Sequence, residues 1–251
     1  MSATESEPVF FVGPSLWGAD VDAGLCRNIE RRGPVRRGDI DALVAARGPG
    51  VIAIADGLFH RTLAVGHAEI RRALQNRWRV WGLSSIGAIR ACEMQHLGMQ
   101  GFGEVYRLFA ARRSNYHDDE VALLHGDGYP YRPLSEPLVH IRLAFSALVD
   151  DSVIAATDQR RLLHRLKGMW YGHRTLSWLR RSVCEVTPES APAIDAWLNR
   201  FQRYRIKTDD AIAFLRQRPW TADDARGPQR PSSAATRGSL RSSSNSGSTR
   251  T

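Results

Sequence analysis

The sequence has only three cysteines in 251 residues, Cys26, Cys92 and Cys184, and none stands in CxxC spacing. That pattern suggests neither a disulfide framework nor a zinc site and fits a reducing cytoplasm. No apolar run approaches the roughly 18 residues a membrane span requires. The first seven residues are acidic where a secretory signal would be basic. A soluble cytoplasmic protein without membrane contact is therefore expected. Internal repeats are missing too, as are two motifs that would name a chemistry outright. Gly82, Ser84 and Gly87 have the spacing of a dinucleotide-binding G-x-G-x-x-G, but Ser84 replaces the middle glycine and no acidic residue follows a next strand to hold a ribose. Gly82 lies three residues before Ser85, so a strict G-x-S-x-G nucleophile elbow is not met either.

What is present is a 43% apolar chain with a formal charge of +9, enough to bury a sizeable core. The stretch after Arg218 holds five arginines against Asp223 and Asp224, so most of the excess charge belongs to the folded part. An arginine-rich surface suits an acidic protein, an acidic peptide or a nucleic acid, and it equally suits solubility alone.

Three short apolar runs organise the first half of the chain. Val9-Phe-Phe-Val12, Val51-Ile-Ala-Ile-Ala55 and the stretch from Arg79 to Leu83 read as buried parallel strands, each ending in a polar or glycine-rich turn. Helical spacing predicts helices over 39–47 and 66–76 and one starting near Ile86. This alternation is the signature of a Rossmann-like α/β sheet. Gly98-Met-Gln-Gly101 is expected to break the chain, 105–112 to be helical, and 115–120 to form an acidic turn opening a further helix. From Glu136 the periodicity is helical to about Arg218. The segment 219–251 is poor in large apolar residues and is expected to be disordered. The division is thus a disordered N-terminus over 1–8, an α/β core over 9–128, an all-helical region over 129–218 and a tail.

The turn Gly82-Leu-Ser-Ser-Ile-Gly87 draws attention because a strand end and a helix start meet there at two hydroxyls. Helix N–H groups and the positive end of the dipole favour an anion or a developing oxyanion at such a place. A serine nucleophile, a dinucleotide site and a plain Ser84 or Ser85 helix cap all remain open readings. Asp56 ends the clearest strand and needs a specific partner there, whether for catalysis or as a structural cap. His67 stands near the start of the 66–76 helix. Asp118, Asp119 and Glu120 suit a metal or a base, and equally a charged helix start. The aromatics Trp170, Tyr171, Trp178, Trp197 and Tyr204 serve interhelical packing more commonly than nucleic-acid binding.

In order along the chain, Val12-Gly-Pro-Ser-Leu16, Pro34-Val-Arg-Arg-Gly-Asp-Ile40, Asp56-Gly-Leu-Phe59, Gly82-Leu-Ser-Ser-Ile-Gly-Ala-Ile-Arg-Ala91, Glu93, Gly98-Met99 and Asp118-Asp-Glu-Val-Ala122 resemble the TfuA-like family. The likeness covers residues 9–125 strongly and continues more loosely to 218, including Lys207-Thr-Asp-Asp-Ala211. The resemblance implies a partner of a YcaO-family enzyme in backbone thioamidation, as in trifolitoxin-type peptides. In that scheme the YcaO enzyme uses ATP and magnesium to activate an amide of a peptide or protein substrate. The TfuA-like chain, with no cofactor expected of its own, delivers sulfur by hydrolysing a thiocarboxylated ubiquitin-like sulfur carrier. A non-catalytic adaptor for the same partners is the alternative, and nucleic-acid binding ranks below both. Laid onto this sequence, Ser85 is the nucleophile candidate with Ser84 beside it, and Asp56, His67, Asp118 and Asp119 are the acid or base candidates. Gly13, Ser15, Gly82, Gly87, Arg90 and Glu93 are expected around the substrate or anion, unless Arg90 and Glu93 form a structural ion pair.

Overall fold

The computed structural model describes residues 7–21, 24–58, 63–111 and 117–223. The tail beyond 223, the first six residues, and Phe59, Asn115 and Tyr116 of the sequence motifs lie outside that set. Five parallel strands form one sheet: β1 (Val9–Phe11), β2 (Glu30–Arg32), β3 (Val51–Ile54), β4 (Arg79–Gly82) and β5 (Gln100–Gly101), in the order β2-β1-β3-β4-β5. The three apolar runs are the central strands. The edge strands β2 and β5 are short and half exposed, carrying Arg31 and Arg32 or a Gln-Gly pair, so hydrophobic patterning does not announce them. In particular, the expected chain break at 98–101 contains β5.

This strand order dictates where the helices lie. The connections from β2 to β3, β3 to β4 and β4 to β5 all move in one direction across the sheet, and right-handed crossovers of one direction fall on one face. They carry α1 (Asp39–Ala46), α2 (His67–Gln75) and α3 (Ile86–Met94), whose Ile40, Leu43, Ile70, Ala73, Ile86 and Met94 pack on Val9, Phe11, Ile52, Ile54 and Val80. α4 (Gly103–Ala111) then leans on α3 through Val105 and Phe109. The connection from β1 to β2 runs the other way and places Leu16, Leu25 and Ile29 on the opposite face, with no helix longer than one turn among its described residues. That face needs cover from elsewhere.

The cover comes from the far end of the chain. α5 (Leu138–Asp150), α6 (Ala156–Lys167), α7 (Leu176–Cys184) and α8 (Ala191–Asn199) build a core of their own around Leu138, Phe145, Leu166, Leu179, Ile194 and Trp197. α9 (Ile206–Gln217), expected to belong to that helical region, instead returns to the sheet. Its Ala211, Phe214 and Leu215 pack on Phe10, Val12, Ala53 and Trp81. Each such buried side chain contributes on the order of 1.5–3 kcal/mol. The first residues of the expected tail fold as well: α10 (Pro219–Asp223) seats Trp220 against Phe214, ring centroids 4.9 Å apart. A single large aromatic is enough to anchor a turn that composition averages miss. Residues 118–120, expected to start a helix, make one 3-10 turn and no more.

Candidate functional site

Strand order reverses between β1 and β3, and in open parallel sheets ligands bind beyond the carboxyl ends at such a switch point. Asp56 sits there, 2% exposed. One of its carboxylate oxygens accepts the backbone N–H groups of Gly13 and Ser15, each at 2.9 Å, and the other accepts the Ser15 hydroxyl at 2.8 Å. Three donors offset much of the desolvation cost of this buried carboxylate and fix the loop after β1 against the end of β3. Gly13 is needed for that approach, since a Cβ there would lie 2.5 Å from Pro34. Asp56 therefore orients Ser15, and no hydrogen bond joins it to Ser85 among the described residues.

The neighbouring turn from β4 to α3 is unusually tight. Ser84 has φ +60°, a left-handed conformation rare outside glycine, and the Ser85 amide folds back to the Leu83 carbonyl at 2.6 Å. A three-residue turn of this kind is strained and survives only where its surroundings hold it. The Ser84 hydroxyl donates to the Lys207 carbonyl at 2.8 Å. Ser85 occupies the N-cap position of α3 but makes no side-chain capping bond, so the capping expected of this pair is absent. Its hydroxyl makes no hydrogen bond to the described residues, yet it is not a fully buried orphan: among the described residues the buried side-chain polar atom without a partner is Trp81 Nε1. Gly82 and Gly87 serve packing. A Cβ on Gly82 would fall 2.0 Å from the Gly87 carbonyl, and one on Gly87 would fall 1.7 Å from the Ile54 carbonyl. They let α3 start directly against β3 and β4, and their expected role as anion contacts gains no support from this geometry.

Lys207, on the first turn of α9, joins the two halves of the site. Its ammonium donates to the Val121 carbonyl at 3.1 Å and lies 3.7 Å from Asp56 Oδ1, a contact of charge that is too long for a hydrogen bond. Burial pushes its pKa down, against the opposing pull of Asp56 and Glu136. Behind it, the buried carboxylate of Glu136 meets His140 Nδ1 at 2.9 Å and Arg205 Nη2 at 2.5 Å. His140 Nε2 faces the Lys207 backbone N–H at 3.4 Å. Burial lowers the His140 pKa and, with Lys207 and Arg205 nearby, outweighs the pull of Glu136, so the ring is held neutral. Although burial opposes it, Glu136 is held below the ordinary carboxylate range by hydrogen bonds from His140 and Arg205 and by the charge of Arg205.

Other expected site residues are placed elsewhere. His67 Nε2 and Arg90 Nη1 meet the same Glu93 oxygen at 2.8 and 2.6 Å in a partly exposed cluster between α2 and α3. That is the ion-pair alternative, with solvent screening it. Asp119 is committed to the buried guanidinium of Arg174, which donates to its carboxylate at 3.2 Å and its carbonyl at 2.8 Å. Asp118 is exposed. The sequence names none of Glu136, His140, Arg205 and Lys207 as site residues, although Lys207 opens the motif at 207–211. A signal for Lys207 did exist: it is one of only two lysines in a chain with thirty-three arginines. Among the described residues no three His, Cys, Asp or Glu side chains are placed to hold a metal ion. No described helix is long and apolar enough to cross a membrane.

Residues 56–175 match the family of TfuA-like proteins. The match begins at Asp56, takes in the turn at 82–87 and ends next to Arg174; it supports the family that the motifs suggested and leaves those at 12–16, 34–40 and 207–211 outside. Over this stretch the chain is similar to TfuA-like proteins, a family associated with thioamide and trifolitoxin biosynthesis. No curated protein matches the chain.

Proposed function

We propose that this TfuA-like chain delivers sulfur to a YcaO-family enzyme during backbone thioamidation of a peptide or protein, by hydrolysing a thiocarboxylated, ubiquitin-like carrier protein. The observation that carries this reading is the strained turn at Ser84, which sets an unpartnered Ser85 hydroxyl at the N-terminus of α3. Hydrolysis of an acyl-thio group needs a nucleophile beside donors for an oxyanion; at this turn the Ser85, Gly87 and Ala88 N–H groups already donate to the Leu83, Ala55 and Ser85 carbonyls, which leaves the Ile86 N–H for that role. In atoms, the Ser85 oxygen attacks the thiocarboxylate carbon, the C–S bond breaks, and sulfide leaves with the hydroxyl proton. Water then cleaves the seryl ester to the carboxylate. The chain needs no cofactor for this, and ATP and magnesium act in the partner.

The test is thioamide formation in a mixture of chain, partner, carrier and ATP, repeated with sulfide in place of carrier. Ser85→Ala is expected to abolish the carrier-dependent product and leave the sulfide-dependent product intact. A specific observation favours a second reading: Ser15, Asp56, Ser84 and Lys207 are all almost fully buried, as suits a rigid adaptor that binds the partner without chemistry. In that case Ser85→Ala affects both sulfur sources alike or neither.

A further inference from the structure

We infer that the Lys207 ammonium is the group that receives the negative charge of the substrate acid. The inference rests on the hydrolytic reading above and names a residue for it. Three local features oppose a lysine here, against the nearby Asp56 carboxylate. The position is 1% exposed, it lies at the helix end where the dipole disfavours a cation, and Arg205 stands two residues before it. Of three N–H donors, one has a hydrogen-bond acceptor, Val121, among the described residues. Asp56 offers charge at 3.7 Å but already accepts three hydrogen bonds. A buried ammonium with donors to spare is costly, and rules broken in this way mark functional positions.

The choice of residue points the same way. The chain uses arginine for thirty-three of its thirty-five basic residues, and Lys207 is one of two exceptions. Arginine presents a wide planar fork, whereas lysine is a compact charge whose donors can swing onto a new acceptor. A thiocarboxylate is an anion, so a nucleophile attacking its carbon meets repulsion that a nearby cation removes. Lys207 also holds the strained turn, because its own carbonyl accepts the Ser84 hydroxyl. Charge and turn are therefore fixed by one residue.

Two lysines make the experiment simple. Lysine-selective 13C labelling gives two ε-methylene signals, and the exposed Lys167 is the internal control. Titrating the wild-type chain with thioacetate is expected to shift the Lys207 signal saturably and leave Lys167 unmoved. Lys207→Met is expected to cut kcat/KM for the thiocarboxylated carrier by about 100-fold, the loss typical of one electrostatic donor. The neutral thioester of the same acyl group should lose less than about tenfold, because it brings no charge to be met. A silent Lys207 signal under thioacetate overturns the inference, and so does an equal loss for both substrates. The labelling arm uses the wild-type chain, so it decides even where Lys207→Met fails to fold. A saturable shift without any hydrolysis would sustain the role of Lys207 and sink the hydrolytic reading.

Discussion

The Ser84 hydroxyl donates to the Lys207 carbonyl at 2.8 Å, joining residues 123 positions apart in the sequence. One hydrogen bond thus ties the turn after β4 to the start of the helix that covers the far face of the sheet. Ser84→Ala removes this bond while the Lys207 carbonyl keeps its helical donor in α9, and should cost about 0.5–1.5 kcal/mol in urea unfolding. Ser84→Gly loses the same bond but relieves the left-handed strain at φ +60°, so it should be the milder change. Equal losses would mean the turn carries no strain.

Gly87→Ala places a methyl carbon 1.7 Å from the Ile54 carbonyl, so α3 can no longer start against β3. Because backbone meets backbone, no side chain can rotate away, and destabilisation above about 3 kcal/mol is expected. Gly48→Ala, with open space around the new methyl, is the matched control and should stay near wild type. Soluble Gly87→Ala protein with an unchanged melting temperature would contradict the packing seen at this turn.

Trp220 sets the functional boundary of the fold. Truncation after Asp223 should leave the melting temperature close to that of the full chain, whereas truncation after Arg218 removes a 5% exposed indole from the cover of the sheet. Loss of a buried tryptophan costs roughly 3–5 kcal/mol, which at this size lowers the melting temperature by roughly 6–20 °C. Indistinguishable melting of the two truncated chains would show that α10 contributes nothing.

Asp210 reaches from α9 to cap α4, its carboxylate accepting the Glu104 and Val105 N–H groups at 2.6 and 2.9 Å. Burial raises its pKa from 3.8 to about 6. A folded pKa above the unfolded value means that the folded state binds the proton more tightly, so this contribution is complete below pH 3.8 and fades as pH rises through 6. The stability of wild type relative to Asp210→Asn should therefore grow from pH 7 to pH 4, by up to ~3 kcal/mol. A difference independent of pH would refute the shift.

His140 acts in the opposite sense. Its folded pKa lies below 6.5, so the unfolded chain takes up the proton first and stability drains away as pH falls through 6.5. His140→Gln should flatten that part of the stability profile while Asp210→Asn leaves it in place. Equilibrium unfolding at successive pH values separates the two.

Much of this protein follows from its sequence alone. Val51 to Ile54 and Arg79 to Gly82 are readable as strands because apolar continuity and β-branching act on neighbours within a few residues. The same local physics marks the turn at 82–87 and makes Asp56 conspicuous at a strand end. The edge strands β2 and β5 escaped, since a few half-exposed residues owe their conformation to the strand beside them. The site depended on tertiary structure for a related reason. Strand order determines which face the crossovers leave bare, the bare face draws in α9, and α9 delivers Lys207 to Asp56 and Ser84. No periodicity within a window of residues encodes a meeting across 123 positions, because that meeting is selected by burial of the whole sheet.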